Sequence, residues 1–578
     1  MKARIWEDVP ANEEHVRALI AALGAPPVIA RLLCQRGLDD PAVARHFLAP
    51  DLADLHDPFL LADMRPATDR LIGAIARGER IAIHGDYDVD GITSTVMLRR
   101  ALEGLGGVVD HFVPDRLRDG YGLQAPAVER LAAAGARVII SVDCGIRSVD
   151  AALKARELGV DLIITDHHEP DETLPVALAV INPKRRDCAY PEKGLAGVGV
   201  TLKLVQALLS VSGRPASHLI PFVKIAAIGT LADVVPLTGE NRIIARCGLD
   251  GLTRGPHTAG LEALLTEAGL TGRTIDSFHV SFMLAPRLNA AGRMSSPDLA
   301  LNLLLLRGRD EDVRTRARDL ARQLSEENTK RQEQEATILA DARRLIDGDP
   351  EIGGPNLLLV AGEGWHRGII GIVASKLVDL YGKPALVLAI DGDIAYGSGR
   401  GIAAFDLLGA LDACREVFLR YGGHRAAAGV TLEAARIPEL RRRLVAIANE
   451  RLSPDDLIPR LRIDAPLGLR EISSDVIEGL VKLGPFGASN PKPVFRAAPV
   501  ELLQAPKRIK ERHLSLIFRQ QGRAFRAIAW RAAEREAYLT ANRFGLEVAY
   551  SLEQGEYRGE TTTEMTVADV RVPQQVPA

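Results

Sequence analysis

Between residues 81 and 235 the chain alternates short, wholly apolar runs with segments of helical spacing. IAIHGDYDVDG is an apolar run that ends in a charged loop, and TSTVMLRRALEGL behind it has the period of a helix. ARVIISVDCG and DLIITDHHEP repeat the pattern, with helical text such as SVDAALKAREL between them. Strands that are apolar on both faces and alternate with helices predict a largely parallel sheet. Reactive side chains of such sheets gather at the carboxyl ends of the strands. From Arg309 to Asp347 there is no Pro or Gly, and the text is rich in Arg, Glu, Gln and Ala, which predicts one or two long helices. These serve either as a solvated spacer or as a clamp between two lobes. GWHRGIIGIVASKLVDL then opens a second α/β lobe. Beyond residue 456 the β-rich stretches LRIDAPL, PVFRAAPVELLQA, HLSLIFRQ, AFRAIAW and GLEVAYSL predict a small barrel or sandwich. Residues 1–60 read as short, proline-punctuated helices capping the domain that follows.

At 578 residues the chain is too long for one core. The expected division is a helical cap over 1–60, an α/β domain over 61–307, a connector over 308–350, a second lobe over 351–455 and a β-domain over 456–572. A net charge of −3 argues against a uniformly basic nucleic-acid coat but leaves room for a local basic channel. Aromatics at 4% are sparse, so a grip on nucleic acid would rest mainly on charge and backbone contacts. The five cysteines form no CxxC pair, which argues against structural zinc or a disulfide framework and for a reducing cytoplasm. The first ten residues lack the apolar core of a signal peptide, and no apolar run reaches the ~20 residues of a membrane span.

Four segments place metal-competent groups at expected strand ends. HGDYDVDG carries His84, Asp86, Asp88 and Asp90; SVDCG carries Asp143; TDHHEP carries Asp166, His167 and His168; IGTLADVVPL carries Asp233. A single Asp after a strand is often only a helix N-cap, and Asp90 before GITSTVML fits that role too. Taken together, so many acids repel one another unless cations compensate them. Carboxylates and imidazoles without cysteine favour manganese or magnesium, and there are enough of them for two ions sharing one carboxylate. Such a pair generates an attacking hydroxide and stabilises both oxygens of an in-line phosphoryl displacement. PRLNAAGR adds Arg287, Asn289 and Arg293 around an expected small-residue turn, and FLRYGGHRAAAG adds Gly423, His424 and Arg425 ahead of an expected helix. Either turn fits an anion cradle or a plain tight turn with a surface arginine.

In order, HGDYDVDG, DCG, TDHHEP, GTLADVVPL and PRLNAAGR resemble the DHH phosphoesterase superfamily, and within it the bacterial RecJ-type single-strand-specific exonucleases. GWHRGIIGIVASKL, SGR, FDLL and YGGHRAAAG resemble the associated DHHA1 lobe, while LGPFGASNPKPVF and YRGE resemble motifs of an OB-type domain. The resemblance implies two α/β lobes, a long helical connector and a C-terminal OB-type barrel. It also implies a 5′-to-3′ exonuclease that degrades single-stranded DNA to mononucleotides with two Mn2+ or Mg2+ ions, in recombination and repair. Carried onto this chain, the ligands are His84, Asp86, Asp88, Asp90, Asp143, His167 and Asp233. Asp143 would bridge the ions, and His168 would contact the scissile phosphate or support a ligand. Which of Asp86, Asp88 and Asp90 lies behind the others stays open. Asp86, Asp88, Asp143, His167 and His168 form the catalytic set, and Arg287, Asn289, Arg293, Arg400, Gly423 and His424 the substrate-binding set. GASNP departs from the family's G-x-G-N-P at Ala488 and Ser489.

In the β-domain Lys507, Arg508, Lys510, Arg512, Arg523 and Arg526 would hold downstream strand, with stacking on Phe518, Phe525 or Trp530; a solvated hairpin face fits the same residues. A channel between lobes would admit one strand and exclude duplex. Single-strand-binding protein, a helicase and mismatch-repair proteins are the expected partners, and a monomer suffices. The nearest rival is the same chemistry on short oligoribonucleotides or cyclic dinucleotides, for which the connector and barrel are surplus. A non-catalytic scaffold would have lost ligand residues.

Overall fold

The computed structural model describes residues 4–115, 119–120, 122–352, 354–557 and 560–573. Five parallel strands build the first sheet, in the order Val108–Phe112, Arg80–His84, Val138–Val142, Asp161–Thr165 and Ala179–Ile181. Their side chains alternate between two cores. Ile81, Ile83, Ile140 and Ile163 face the helices Val89–Gly104, Gly197–Val211 and Ile220–Ala232. Ala82, Ile139 and Ile164 face the helices Ala125–Ala133 and Val149–Glu157. Covered on both faces, the sheet leaves its strand ends as the place for chemistry.

Two local expectations fail here. IGTLADVVPL was expected to put Asp233 at a strand end, but IGTLA is the last part of the helix Ile220–Ala232, and Asp233 caps its carboxyl end. That helix is buried almost all round, and a short apolar run does not distinguish a buried helix from a buried strand. PRLNAAGR is no turn but lies in the helix Ala285–Met294. Ala, Leu, Arg and Asn are compatible with that helix, and Gly292 is there because a Cβ would stand 2.6 Å from the Tyr87 carbonyl oxygen.

The same compact unit (Asp8–Gly292, Ser296–Ser325 and Arg462–Ala578) contains the β-domain. Its strands run Ala465–Pro466, Phe495–Leu502, Leu546–Tyr557, Glu560–Arg571, Arg523–Ala529, His513–Gln520 and Lys507–Ile509. Pairing of Glu501 with Arg519 and Leu502 with Phe518 joins Phe495–Leu502 to His513–Gln520 and closes the sheet into a small OB-type barrel. The helices Glu13–Leu23 and Pro27–Cys34 were expected to cap the following domain. Instead Val16, Leu19, Ile29 and Leu33 share a core with Ile477, Leu480 and Phe495 of the barrel region. Their amphipathic faces said that they pack, not on what. In the GASNP turn Ser489 takes φ 57°, a left-handed conformation in which glycine carries no Cβ penalty, and Leu237 donates to the Ala488 carbonyl at 2.9 Å. Of the YRGE motif, Arg558 and Gly559 lie outside the described residues.

A single helix, Glu311–Gly348, forms the connector. The second unit (Met1–Glu7, Arg293–Ser295 and Glu326–Leu461) holds a five-stranded sheet in the order Arg420–His424, Ala427–Glu433, Ile394–Arg400, Ala385–Asp391 and Leu358–Glu363. YGGHRAAAG does not precede a helix. Arg420–His424 and Ala427–Glu433 form an antiparallel hairpin, as suits small residues packed across a tight ladder. Among the described residues no helix is long and apolar enough to cross a membrane.

Candidate metal centre

Three of the four acidic segments reach the carboxyl edge of the parallel sheet; the fourth arrives from the end of the buried helix. Asp86, Asp88 and Asp143 present ligand atoms all within 4.8 Å of one another, and so do Asp90, His167 and Asp233. Asp143, His167 and His168 form a third such group, so Asp143 and His167 each belong to two. His167 Nε2 lies 3.2 Å from Asp143, 3.7 Å from Asp233 and 4.0 Å from Asp90. The arrangement is two adjoining donor sets that meet at Asp143 and His167. The aspartates of HGDYDVDG are thereby divided, with Asp86 and Asp88 on one side and Asp90 on the other.

Local structure explains the division. Asp88 is the N-cap of helix Val89–Gly104 and accepts from Gly91 N at 3.1 Å. Asp90, expected as a candidate cap, is already inside the first turn. Its carboxylate accepts from Gly197 N and Val198 N at 2.8 and 2.7 Å, at the amino end of helix Gly197–Val211. Asp143 follows strand Val138–Val142 in a left-handed conformation, φ 61°, with its N–H donated to the Thr165 carbonyl. A non-glycine residue there costs about 1–3 kcal/mol, and such strain concentrates at functional sites. Asp166 has another task. It accepts from the N–H groups of Ile146, His167 and His168 and from His168 Nδ1, at 2.7–3.0 Å, so it clamps the loop and aims the second histidine.

The electrostatics call for cations. Burial, then Asp233 and Asp88, pushes the Asp90 carboxyl well above the usual range; burial, then Asp90 and Asp88, does the same to Asp143. Burial and Asp88 push Asp233 up to about 7. Burial lowers His84 and His167 to about 4, leaving neutral rings with a lone pair for a metal. Burial also opposes charge on His168, but its bond to Asp166 outweighs it and raises the group. Nε2 of His84, Oδ1 of Asp143 and Nε2 of His167 are buried with no hydrogen-bond partner among the described residues. Unused donors and crowded hard oxygens fit divalent Mn2+ or Mg2+. His84 stands apart from the three groups, with Cys144 Sγ 3.6 Å from its Nδ1.

One consequence is a pH dependence of the metal-free fold. An unfolded Asp titrates near ~3.9, and Asp233 in the fold near about 7. Between those values the native state holds more protons. Stability is therefore greatest below the unfolded value and falls as pH rises through the folded one. Manganese displaces these protons, so it binds more tightly as pH rises. The lowered His84 and His167 act in the opposite sense, but only below about 6.5, where an unfolded histidine takes up its proton. Melting scans of metal-free protein should therefore show Tm declining from about pH 6.5 to about pH 8, and added Mn2+ should raise Tm more at the higher pH.

Glycines carry the site, and the sequence reading missed them. A Cβ at Gly197 would stand 2.4 Å from Asp143 Oδ1, and one at Gly91 2.5 Å from the Asp86 carbonyl oxygen. The available signal was the small-residue opening of AGVGVTL after a loop. Gly197→Ala should weaken Mn2+ activation or activity by about 10- to 100-fold, as losses of ligand-supporting contacts do; a Mn2+ titration of hydrolysis rate reads it directly.

The remaining candidates fall into separate places. Arg287 donates to Ser325 Oγ and the Met283 carbonyl, and Asn289 is half-buried on the same helix. Arg293 donates to the Gly368 carbonyl at 2.8 Å. In the second unit Arg400 and His424 both pair with Ala427, one from each neighbouring strand, so the sheet sets them in one row. Gly423 has φ 152°, and a Cβ there would stand 2.3 Å from the Ala427 carbonyl oxygen. In the barrel Lys507, Lys510, Arg512 and Trp530 are exposed, whereas Arg508 pairs with Glu536. Phe518, expected to stack on bases, is instead in the barrel core, where strand alternation puts it.

The family model for the N-terminal domain of the DHH family matches residues 80–230, that for the DHHA1 domain 354–451, and that for the RecJ OB domain 463–569. A single-stranded-DNA-specific exonuclease RecJ of Dickeya dadantii (strain 3937) is 35% identical over 94% of this chain and 95% of its own length. The chain belongs to the RecJ family. The RecJ of Bacillus subtilis (strain 168) is 41% identical over 84% of this chain, which spans only 61% of that longer protein. A crystal structure of RecJ from Thermus thermophilus in complex with Mn2+ superposes with a TM-score of 0.82 at 31% identity, covering 99% of this chain and 80% of the other. Among RecJ proteins this chain therefore has both α/β lobes, the connecting helix and the OB-type barrel.

Proposed function

We propose that this chain is a metal-dependent exonuclease specific for single-stranded DNA, working from the 5′ end and releasing 5′-mononucleotides during recombination and repair. The observation that carries the reading is the pair of donor sets meeting at Asp143 and His167, set in a chain of RecJ architecture. Two divalent ions, Mn2+ or Mg2+, held there would supply an activated water and neutralise charge on the attacking and leaving oxygens. Asp86, Asp88 and Asp143 hold one of them, and Asp90, His167 and Asp233 the other. Asp143 is shared, and His84 supports the first set. Asp166 fixes the His168 ring so that its other edge can donate to the scissile phosphate. The N–H groups of Gly197 and Val198 hold Asp90 in place without spending a side chain.

Arg400 and His424, set in one row, bind the phosphate at the 5′ end, and Gly423 lets backbone approach it. Arg287, Asn289 and Arg293 contact the strand near the reaction, while Lys507, Lys510, Arg512 and Trp530 of the barrel, more weakly, hold strand further along. Arg508 is already committed to Glu536 and contributes less. Single-strand-binding protein, a helicase or mismatch-repair proteins would meet the enzyme on that strand in the cytoplasm. The chemistry needs none of them, and a monomer suffices.

A substrate panel tests the reading. With Mn2+, single-stranded DNA should be degraded, and blunt duplex of the same sequence should survive. Hydrolysis confined to dinucleotides, short oligoribonucleotides or cyclic dinucleotides would keep the chemistry and overturn the substrate.

A further inference from the structure

Among the described residues five aromatic side chains are largely exposed: Phe278, Phe282, Trp530, Tyr538 and Phe544. The last three belong to the barrel region. Phe278 and Phe282 belong to the first lobe, where they lie side by side, 58% and 68% exposed, with ring centroids 5.0 Å apart and planes inclined by 27°. Two nearly parallel rings so exposed offer a flat apolar face to solvent.

The segment that carries them is held at both ends. Ser277 Oγ donates to the carbonyl of Phe486, beside the barrel, at 2.8 Å. Ser281 Oγ donates to the carbonyl of Leu231, two residues before Asp233, at 3.1 Å. Val280 and Leu284, in a π-helical turn over Val280–Leu284, are fully buried and anchor the opposite side; turns of this kind recur at functional sites. His279 sits edge-on to Phe278 with centroids 6.2 Å apart. Arg287 Nη1 donates to the Met283 carbonyl at 2.6 Å, which brings a guanidinium within one residue of Phe282.

We propose that Phe278 and Phe282 form a base-stacking platform for single-stranded DNA on the path between the metal centre and the barrel. The proposal rests on the single-strand reading above. An apolar ring face beside a cation matches the two halves of a nucleotide, base and phosphate, and aromatic stacking accepts every base. It also gives a chain with few aromatics one place to hold bases near the chemistry, rather than only downstream.

The test is steady-state hydrolysis by the full chain with Mn2+ on a single strand of about 20 nucleotides, long enough to span the platform and a barrel site. Phe278→Ala/Phe282→Ala should raise KM by about tenfold or more, with kcat changed far less. Phe278→Tyr/Phe282→Tyr should restore KM, and Phe278→Leu/Phe282→Leu should not, because leucine keeps the apolar surface and loses the ring. In the unmutated protein, 2-aminopurine placed along the strand should be quenched at one or two positions, and that quenching should vanish in the alanine variant. Unchanged KM in the alanine variant, or rescue by leucine as complete as by tyrosine, would overturn the platform; the latter would point to an apolar protein-docking face. Should the unmutated protein itself neither bind nor degrade single strands, the failure lies with the functional reading and takes the platform with it.

Discussion

Asp143→Asn is expected to lower kcat on single-stranded DNA by about 10^3-fold or more, equivalent to ~4 kcal/mol of transition-state stabilisation. Asp143 is the carboxylate common to two of the donor groups, within 3.2 Å of His167 Nε2. Removing its charge therefore weakens both positions at once. Asparagine is chosen because it tolerates the left-handed backbone that Asp143 adopts. The metal-free variant should melt no lower than the parent, since one buried, repelling carboxylate has gone. Single-turnover rates with saturating Mn2+, set beside melting curves without it, separate lost chemistry from lost fold.

Arg242→Met carries the largest expected cost in stability, about 3–5 kcal/mol. The side chain is buried and lies over the Phe47 ring, 3.6 Å from its centroid. Its guanidinium donates to four carbonyls, those of Phe47, Lys482, Leu483 and Gly484. Burial pulls its pKa down to about 9, so it is still charged at neutral pH. Methionine fills the space but takes the donor from the Phe47 and Lys482 carbonyls, while the Leu483 carbonyl keeps Asn490 Nδ2 and the Gly484 carbonyl keeps Arg246 Nη1. These bonds tie the helix Gly239–Arg254 of the first lobe to the N-terminal helices and to the end of helix Ser474–Leu483. The urea midpoint should fall accordingly, and the barrel's hold on the strand should loosen before the chemistry at the aspartates is affected.

Much of this was legible because acids and histidines at the ends of apolar strands have few cheap explanations. HGDYDVDG, SVDCG and TDHHEP were readable as a metal constellation, and the strand–helix alternation as a parallel sheet. Asp233 was placed on the wrong element, since a run as apolar as IAAIGTLA carries no period to separate strand from helix. The division of Asp86 and Asp88 from Asp90 was not readable. It depends on a helix starting at Val89, which turns alternate residues away from one another. Asp166, metal-competent by type but outside the expected ligand set, is a clamp, and its text did not show this because three of its partners are backbone N–H groups that every residue carries. The N-terminal helices showed an apolar face but not which core receives it, and that core lies toward the other end of the chain. Gly91 and Gly197 escaped notice because a close approach is a property of two segments, and only one of them is visible in any stretch of text.

The measurement that bears most directly on the central claim is a time course with Mn2+ on single-stranded DNA carrying a 5′ phosphate and a 3′ label. Labelled strands that shorten progressively, with release of mononucleotides and no such ladder from Asp143→Asn, are the predicted result. A labelled mononucleotide released at once from intact strands would reverse the polarity, and strands untouched by the wild type or cut equally by the variant would contradict the account.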